Sequence, residues 1–100
     1  MEIAVGPVEA IPEGGVKIVQ SGSLFVGVYR IDGELYAIED RCSHDDGPLC
    51  EGERDGFCVV CPRHGARFDL RTGAVLSLPA TEDVEAFEVL VRDGEAFVLA

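Results

Sequence analysis

Basic residues are scarce: eight lysines and arginines stand against nineteen aspartates and glutamates among 100 residues, a formal charge of −11. Such a field repels polyanions, which excludes nucleic acid and anionic membrane surfaces as partners and favours proteins with a basic docking patch. Net negative charge also serves plain solubility. No run of about 18 apolar residues occurs, and the opening Met-Glu-Ile-Ala-Val-Gly-Pro has no basic segment followed by an apolar one. Neither a membrane span nor an export signal is therefore expected, and the expected location is the cytoplasm. Sustained helical periodicity is missing too, which argues against a helical bundle. No phosphate-cradling glycine loop, dinucleotide fingerprint or nucleophile-base constellation is present, so catalysis by this chain alone is not expected.

What is present reads as short strands. Apolar residues make up 47% of the chain, enough for a globular fold, and the length suits one domain over residues 1–100. Runs rich in β-branched residues cover 15–19, 24–31, 34–39, 57–61, 85–92 and 95–99. Asp32-Gly33, Asp55-Gly56 and Asp93-Gly94 each lie between two such runs, and Asp-Gly supplies the positive φ angles of a tight hairpin turn. An all-β antiparallel sandwich or small barrel follows. From about residue 40 to 79 the strands shorten and loops rich in Cys, His, Gly and Pro intervene, as expected of a small subdomain inserted into the larger sheet. Asp69 to Gly73 reads as a turn after a short strand.

Four cysteines in a chain with no export signal point to metal rather than disulfides, and both histidines are interleaved with them. The text is Cys42-Ser43-His44-Asp45-Asp46-Gly47-Pro48-Leu49, then, from position 61, Cys61-Pro62-Arg63-His64-Gly65. Each loop offers one thiolate and one imidazole. Two such loops facing each other can place both sulfurs on one iron and both imidazoles on a second. Tetrahedral zinc would also accept two Cys and two His, but zinc loops more often pair like ligands, C-x-x-C with H-x₃₋₅-H. Cys50 and Cys58 lack a histidine at the matching offset and read as small apolar side chains. Asp45 and Arg63 flank the histidines and read as solvated loop charges that could shape docking.

This pattern resembles the Rieske family over about residues 40–79, with weaker hairpin similarity on either side. The resemblance implies one 2Fe-2S cluster per chain, with Cys42 and Cys61 on the inner iron and His44 and His64, through Nδ1, on the outer. Thiolates stabilise ferric iron and neutral imidazoles leave their iron easier to reduce, so the electron should settle on the histidine side. Gly47-Pro48 and Ser77-Leu78-Pro79 resemble the loops that cover such a cluster. With two ligating thiolates and a doubly positive oxidised core the formal charge stays at −11, and one electron takes it to −12.

High-potential members of the family carry an extra cysteine in each loop, joined in a disulfide; Gly47 and Arg63 occupy those positions here. Ala66 and Phe68 stand where a serine and a tyrosine would donate hydrogen bonds to sulfur. A potential near the low end of the Rieske range, about −150 mV, is expected. The resemblance further implies a one-electron carrier between a flavin reductase and a terminal oxygenase, docking transiently and electrostatically. No histidine remains for the mononuclear iron of an oxygenase itself. A small subunit of another redox enzyme, similar to that of nitrite reductase, and a carrier serving iron-sulfur cluster assembly or redox sensing are the alternative roles.

Overall fold

A computed structural model describes residues 1–43 and 47–100. Among the described residues nine strands form: β1 Glu2–Pro7, β2 Val16–Ser21, β3 Leu24–Ile31, β4 Glu34–Glu39, β5 Arg54–Asp55, β6 Cys58–Val60, β7 Arg67–Asp69, β8 Ala86–Arg92 and β9 Glu95–Leu99. Among the described residues the one helical element is a single 3-10 turn, Val8–Ala10. No helix is long and apolar enough to cross a membrane among them.

Six strands make an antiparallel sheet in the order β1-β9-β8-β4-β3-β2, and β5-β6-β7 make a second, small sheet. The small sheet lies between β4 and β8 in the chain, as the change in texture near residue 40 predicts. The outermost strands of the large sheet, β1 and β2, approach one another, and Lys17 Nζ on β2 donates to Val5 O on β1 at 2.5 Å. An ammonium placed there satisfies a carbonyl that a sheet edge would otherwise leave unpaired. The register of β1 against β9 shifts between Ala4 and Gly6, a bulge at Val5 after which Gly6, at φ +106°, and Pro7 pair with Ala96 and Glu95.

Both faces of the large sheet are used, which is why β3 reads as an almost unbroken apolar run. Val26 and Val28 point into one core with Ile3, Val5, Ile11, Ala37, Ala96 and Val98. Tyr29 and Ile31 alternate to the other side and join Ile38 in a second core with Cys42, Leu49, Cys50, Val59, Cys61, Ala66, Phe68 and Leu70. The second core fixes the small sheet to the large one. At its margin the Phe57 ring meets Tyr36 edge-on at 5.5 Å, and the Arg71 guanidinium lies 4.6 Å over Phe57.

Two of the three Asp-Gly turns form as expected: Asp32 and Gly33 have φ +53° and +78°, Asp93 and Gly94 +53° and +77°. The third is displaced by one residue. Asp55 pairs with Cys58, so Gly56 (φ +62°) and Phe57 are the loop, with glycine at the first position. A fourth hairpin, through Gly22-Ser23 between β2 and β3, uses the same arrangement. Strand 57–61 is trimmed to Cys58–Val60, and the strand expected over 15–19 starts one residue later and runs on to Ser21. β1 was not expected because Gly6-Pro7 interrupts a short alternation, yet Ile3 and Val5 are buried. β5 is another strand missing from the sequence reading, and β7 is the short strand expected before Asp69.

The β3–β4 turn is capped from a distance. Glu13 accepts Asp32 N–H at 2.8 Å and Gly33 N–H at 2.9 Å, and these bonds, chiefly that from Gly33, hold its carboxyl below the usual carboxylate range. A group whose pKa is lower in the folded state stabilises above its unfolded pKa and loses that contribution as pH falls through the folded one. Melting temperatures of wild type and Glu13→Gln should therefore differ at neutral pH and converge below the ordinary glutamate range. A difference that persists or grows in acid would contradict this role.

Candidate metal centre

Cys42 follows β4 by three residues, and Cys61 follows β6 directly. Both thiols are buried, 0% and 1% exposed, in the same core between the sheets. The two loops close in the same way. Cys42 N–H donates to Gly47 O at 2.8 Å, and Cys61 N–H donates to Ala66 O at 2.7 Å, five residues on in each case. Gly65 N–H returns to Cys61 O at 3.0 Å, with Gly65 at φ +78°, which tightens the second turn. His64, on that turn, is exposed. The second loop thus presents a buried sulfur and an exposed imidazole-bearing residue.

His44, the fourth expected ligand, and its neighbour Asp45 lie outside the described residues. Among the described residues no three His, Cys, Asp or Glu side chains gather around a point suited to a single metal ion. A binuclear cluster spreads its donors over two irons.

A third segment abuts both loops. Ser77 Oγ accepts Arg67 N–H at 3.1 Å, Leu76 N–H donates to Arg67 O at 2.7 Å, and Ser43 Oγ donates to Glu82 O at 2.5 Å. The segment therefore touches the first loop through Ser43 and the strand after the second loop through Arg67. Its tip, Leu78, is 77% exposed beside a cis Leu78-Pro79 bond. Gly73 belongs to the turn expected at Asp69 to Gly73: its N–H donates to Asp69 O, and a Cβ on it would lie 2.1 Å from Val84 O.

Ala66 and Phe68 are both 0% exposed and flank the exposed Arg67, so they face inward together. All four cysteines are outside any disulfide. Cys50 is 1% exposed, and burial pushes its thiol up to about 12, which leaves it protonated and inert. Cys58 is half-buried on β6, 3.9 Å from Arg67 Nη1. Arg63 is exposed. Two residue groups that sequence reasoning missed bear on the loops: Asp40, which binds the trailing end of the first, and Gly52, which lies against Val60 next to Cys61. Neither leaves a local signal, because each acts through a contact several residues away.

Carboxylates border the loops. One cleft is lined by Glu51, Glu53, Cys61, Pro62 and Gly65, another by Ile18, Phe25, Asp40, Pro48 and Glu51.

Residues 1–88 match the family model described as the Rieske [2Fe-2S] domain. The chain is 39% identical over 98 residues to the 3-phenylpropionate/cinnamic acid dioxygenase ferredoxin subunit of Photorhabdus laumondii, covering 97% of this chain and 92% of that one. The subunit of the same name from Escherichia coli K12 is 39% identical over 93 residues, covering 92% and 87%. Among solved structures, the ferredoxin of carbazole 1,9a-dioxygenase from Nocardioides aromaticivorans superposes with a TM-score of 0.92 at 31% identity, covering 98% and 96%. A chain from a complex of reduced oxygenase and oxidised ferredoxin in carbazole 1,9a-dioxygenase gives 0.91 at 36%, covering 97% and 91%.

Proposed function

The chain belongs to the Rieske [2Fe-2S] domain family and carries a 2Fe-2S cluster, and from that premise we propose that Cys42, His44, Cys61 and His64 hold it. The observation that supports this ligand set is the pair of buried thiols in one core, each opening a loop closed by the same five-residue hydrogen bond. Cys42 and Cys61 anchor the inner side, away from water. His64, and His44 by the same motif, supply the outer side. The cluster supplies a one-electron couple, and the protein around it excludes water from the sulfurs while leaving an imidazole at the surface for contact with a partner.

The chain is an electron carrier of the kind its ferredoxin relatives are, rather than a catalyst. Its donor is a flavin reductase and its acceptor a terminal oxygenase of an aromatic-ring dioxygenase system. Docking is electrostatic and transient, onto a basic patch. Support comes from the formal charge of −11 and from the clefts beside both loops, which contain Asp40, Glu51 and Glu53. A cytoplasmic location fits four cysteines without a disulfide.

Stopped-flow mixing of the reduced protein with the oxidised oxygenase component of the Photorhabdus laumondii 3-phenylpropionate/cinnamic acid dioxygenase tests this reading. Reoxidation should be seen, and its rate should fall severalfold as salt is raised from about 0.01 to about 1 M, over which the screening length shrinks from about 30 to about 3 Å. A reduced protein that the oxygenase leaves reduced, or a rate indifferent to salt, would contradict acceptor and docking respectively.

A further inference from the structure

The first ligand loop is held at its base by a side chain that the motif does not contain. Asp40 is the residue after β4, and its N–H donates to Phe25 O at 2.8 Å, which ties it to the start of β3. Its Oδ1 accepts Leu49 N–H at 2.8 Å and Cys50 N–H at 2.7 Å. One carboxylate oxygen therefore joins the beginning of the segment 40–50 to its end. Cys42, two residues further on, makes the inner closure to Gly47 O.

Cys50 fixes the same end from the other side. Its side chain lies on Gly27 of β3, where a Cβ would stand 2.4 Å from Cys50 Sγ, and Tyr29 O–H donates to Cys50 O at 3.4 Å. The trailing end of the loop is thus pegged on β3 and bonded to Asp40, while the leading end continues from β4. Asp40 lies two residues before Cys42 in the chain and is only partly exposed, so its negative charge is screened less by water than that of a fully exposed side chain. Such a charge opposes arrival of an electron and so lowers the potential.

From these contacts we infer that Asp40 is a positioning residue for electron transfer, holding the Cys42 loop in its shape and lowering the potential of the cluster through its charge. The inference rests on the ligand set proposed above. Asp40→Asn keeps an acceptor oxygen for both amides and removes the charge; Asp40→Ala removes both.

The test compares the loaded wild type and the two variants by iron content, by EPR after dithionite reduction, and by redox titration. Asp40→Asn should keep wild-type iron content and EPR line positions, while its equilibrium with a reference couple shifts about tenfold towards the reduced form, a rise of about 59 mV for one electron. Asp40→Ala should show displaced or broadened lines and faster loss of iron. A wild-type potential in Asp40→Asn overturns the charge role. Wild-type lines and iron retention in Asp40→Ala overturn the positioning role. A wild type without the low average g of histidine ligation overturns the ligand set instead, and this inference with it.

Discussion

Replacing Gly52 by alanine is expected to leave most of the purified protein without iron or sulfide. Gly52 N–H donates to Leu49 O at 3.1 Å, so this residue closes the segment that follows the first loop, and Val60 lies directly against it. A Cβ there would stand 1.8 Å from Val60 O, 2.9 Å from Val60 C and 3.1 Å from Pro62 Cδ. Two of those atoms are backbone, and Val60 is bonded to Cys61. No flexible side chain can give way, so the segment after Cys42 and the strand before Cys61 must separate. Forcing a methyl group into packed surroundings costs roughly 1–3 kcal/mol even where the neighbours adapt. Here the displacement falls between the two cysteines proposed as ligands, which would have to meet one rigid cluster.

Gly56→Ala is the control, because Gly56 has positive φ but no atom within 4 Å of its would-be Cβ. It should lose only about 1–2 kcal/mol through backbone strain and keep its cluster. Iron and acid-labile sulfide per chain, with the visible absorption, measure both variants. Full loading of Gly52→Ala would show that the two loops do not need this contact.

The double variant Ala66→Ser, Phe68→Tyr should raise the potential by roughly 80 mV. Each hydroxyl would stand where relatives of high potential have a donor to sulfur, and each such bond stabilises the added negative charge of the reduced state. A bond worth ~1 kcal/mol to one redox state corresponds to roughly 40 mV for one electron. The structure makes the substitution demanding, since both positions are 0% exposed. A hydroxyl there has no water to bond, and leaving it unpaired would cost about 1–3 kcal/mol. Because Ala66, just before β7, and Phe68, on it, are both buried in the core that contains Cys42 and Cys61, both hydroxyls would lie in that core. A titration of the loaded double variant that gives an unchanged or lower potential would contradict the expectation that the missing hydroxyls set the potential low in the Rieske range.

These effects differ in how far they could be read from the sequence. The Cys42, His44, Cys61 and His64 pattern, the proposed ligand set, stands out in the sequence because ligand chemistry constrains residue type at short spacing, and so does the departure at Ala66 and Phe68. Asp32-Gly33 and Asp93-Gly94 were legible because a two-residue turn is decided by its own φ angles. Asp55-Gly56 was right in kind and wrong by one residue, since the pairing of Asp55 with Cys58 is settled by the small sheet and not by the dipeptide. β1 escaped notice because its evidence is the burial of Ile3 and Val5 against residues of distant strands. Asp40, Gly27 and Gly52 look like any other loop aspartate or strand glycine until Cys50 and Val60 are brought against them. Cys50 and Cys58 were expected as plain small side chains, and the buried, protonated thiol of Cys50 agrees.

The central claim is that two thiolates and two imidazoles share one cluster, and EPR of the dithionite-reduced protein, with iron, zinc and sulfide assayed on the same sample, tests it most directly. The expected result is two irons and two sulfides per chain, with the low average g of a histidine-ligated centre, lost when His64 is replaced by alanine. Zinc without sulfide, or an all-cysteine spectrum that implicates Cys50 or Cys58, would contradict it.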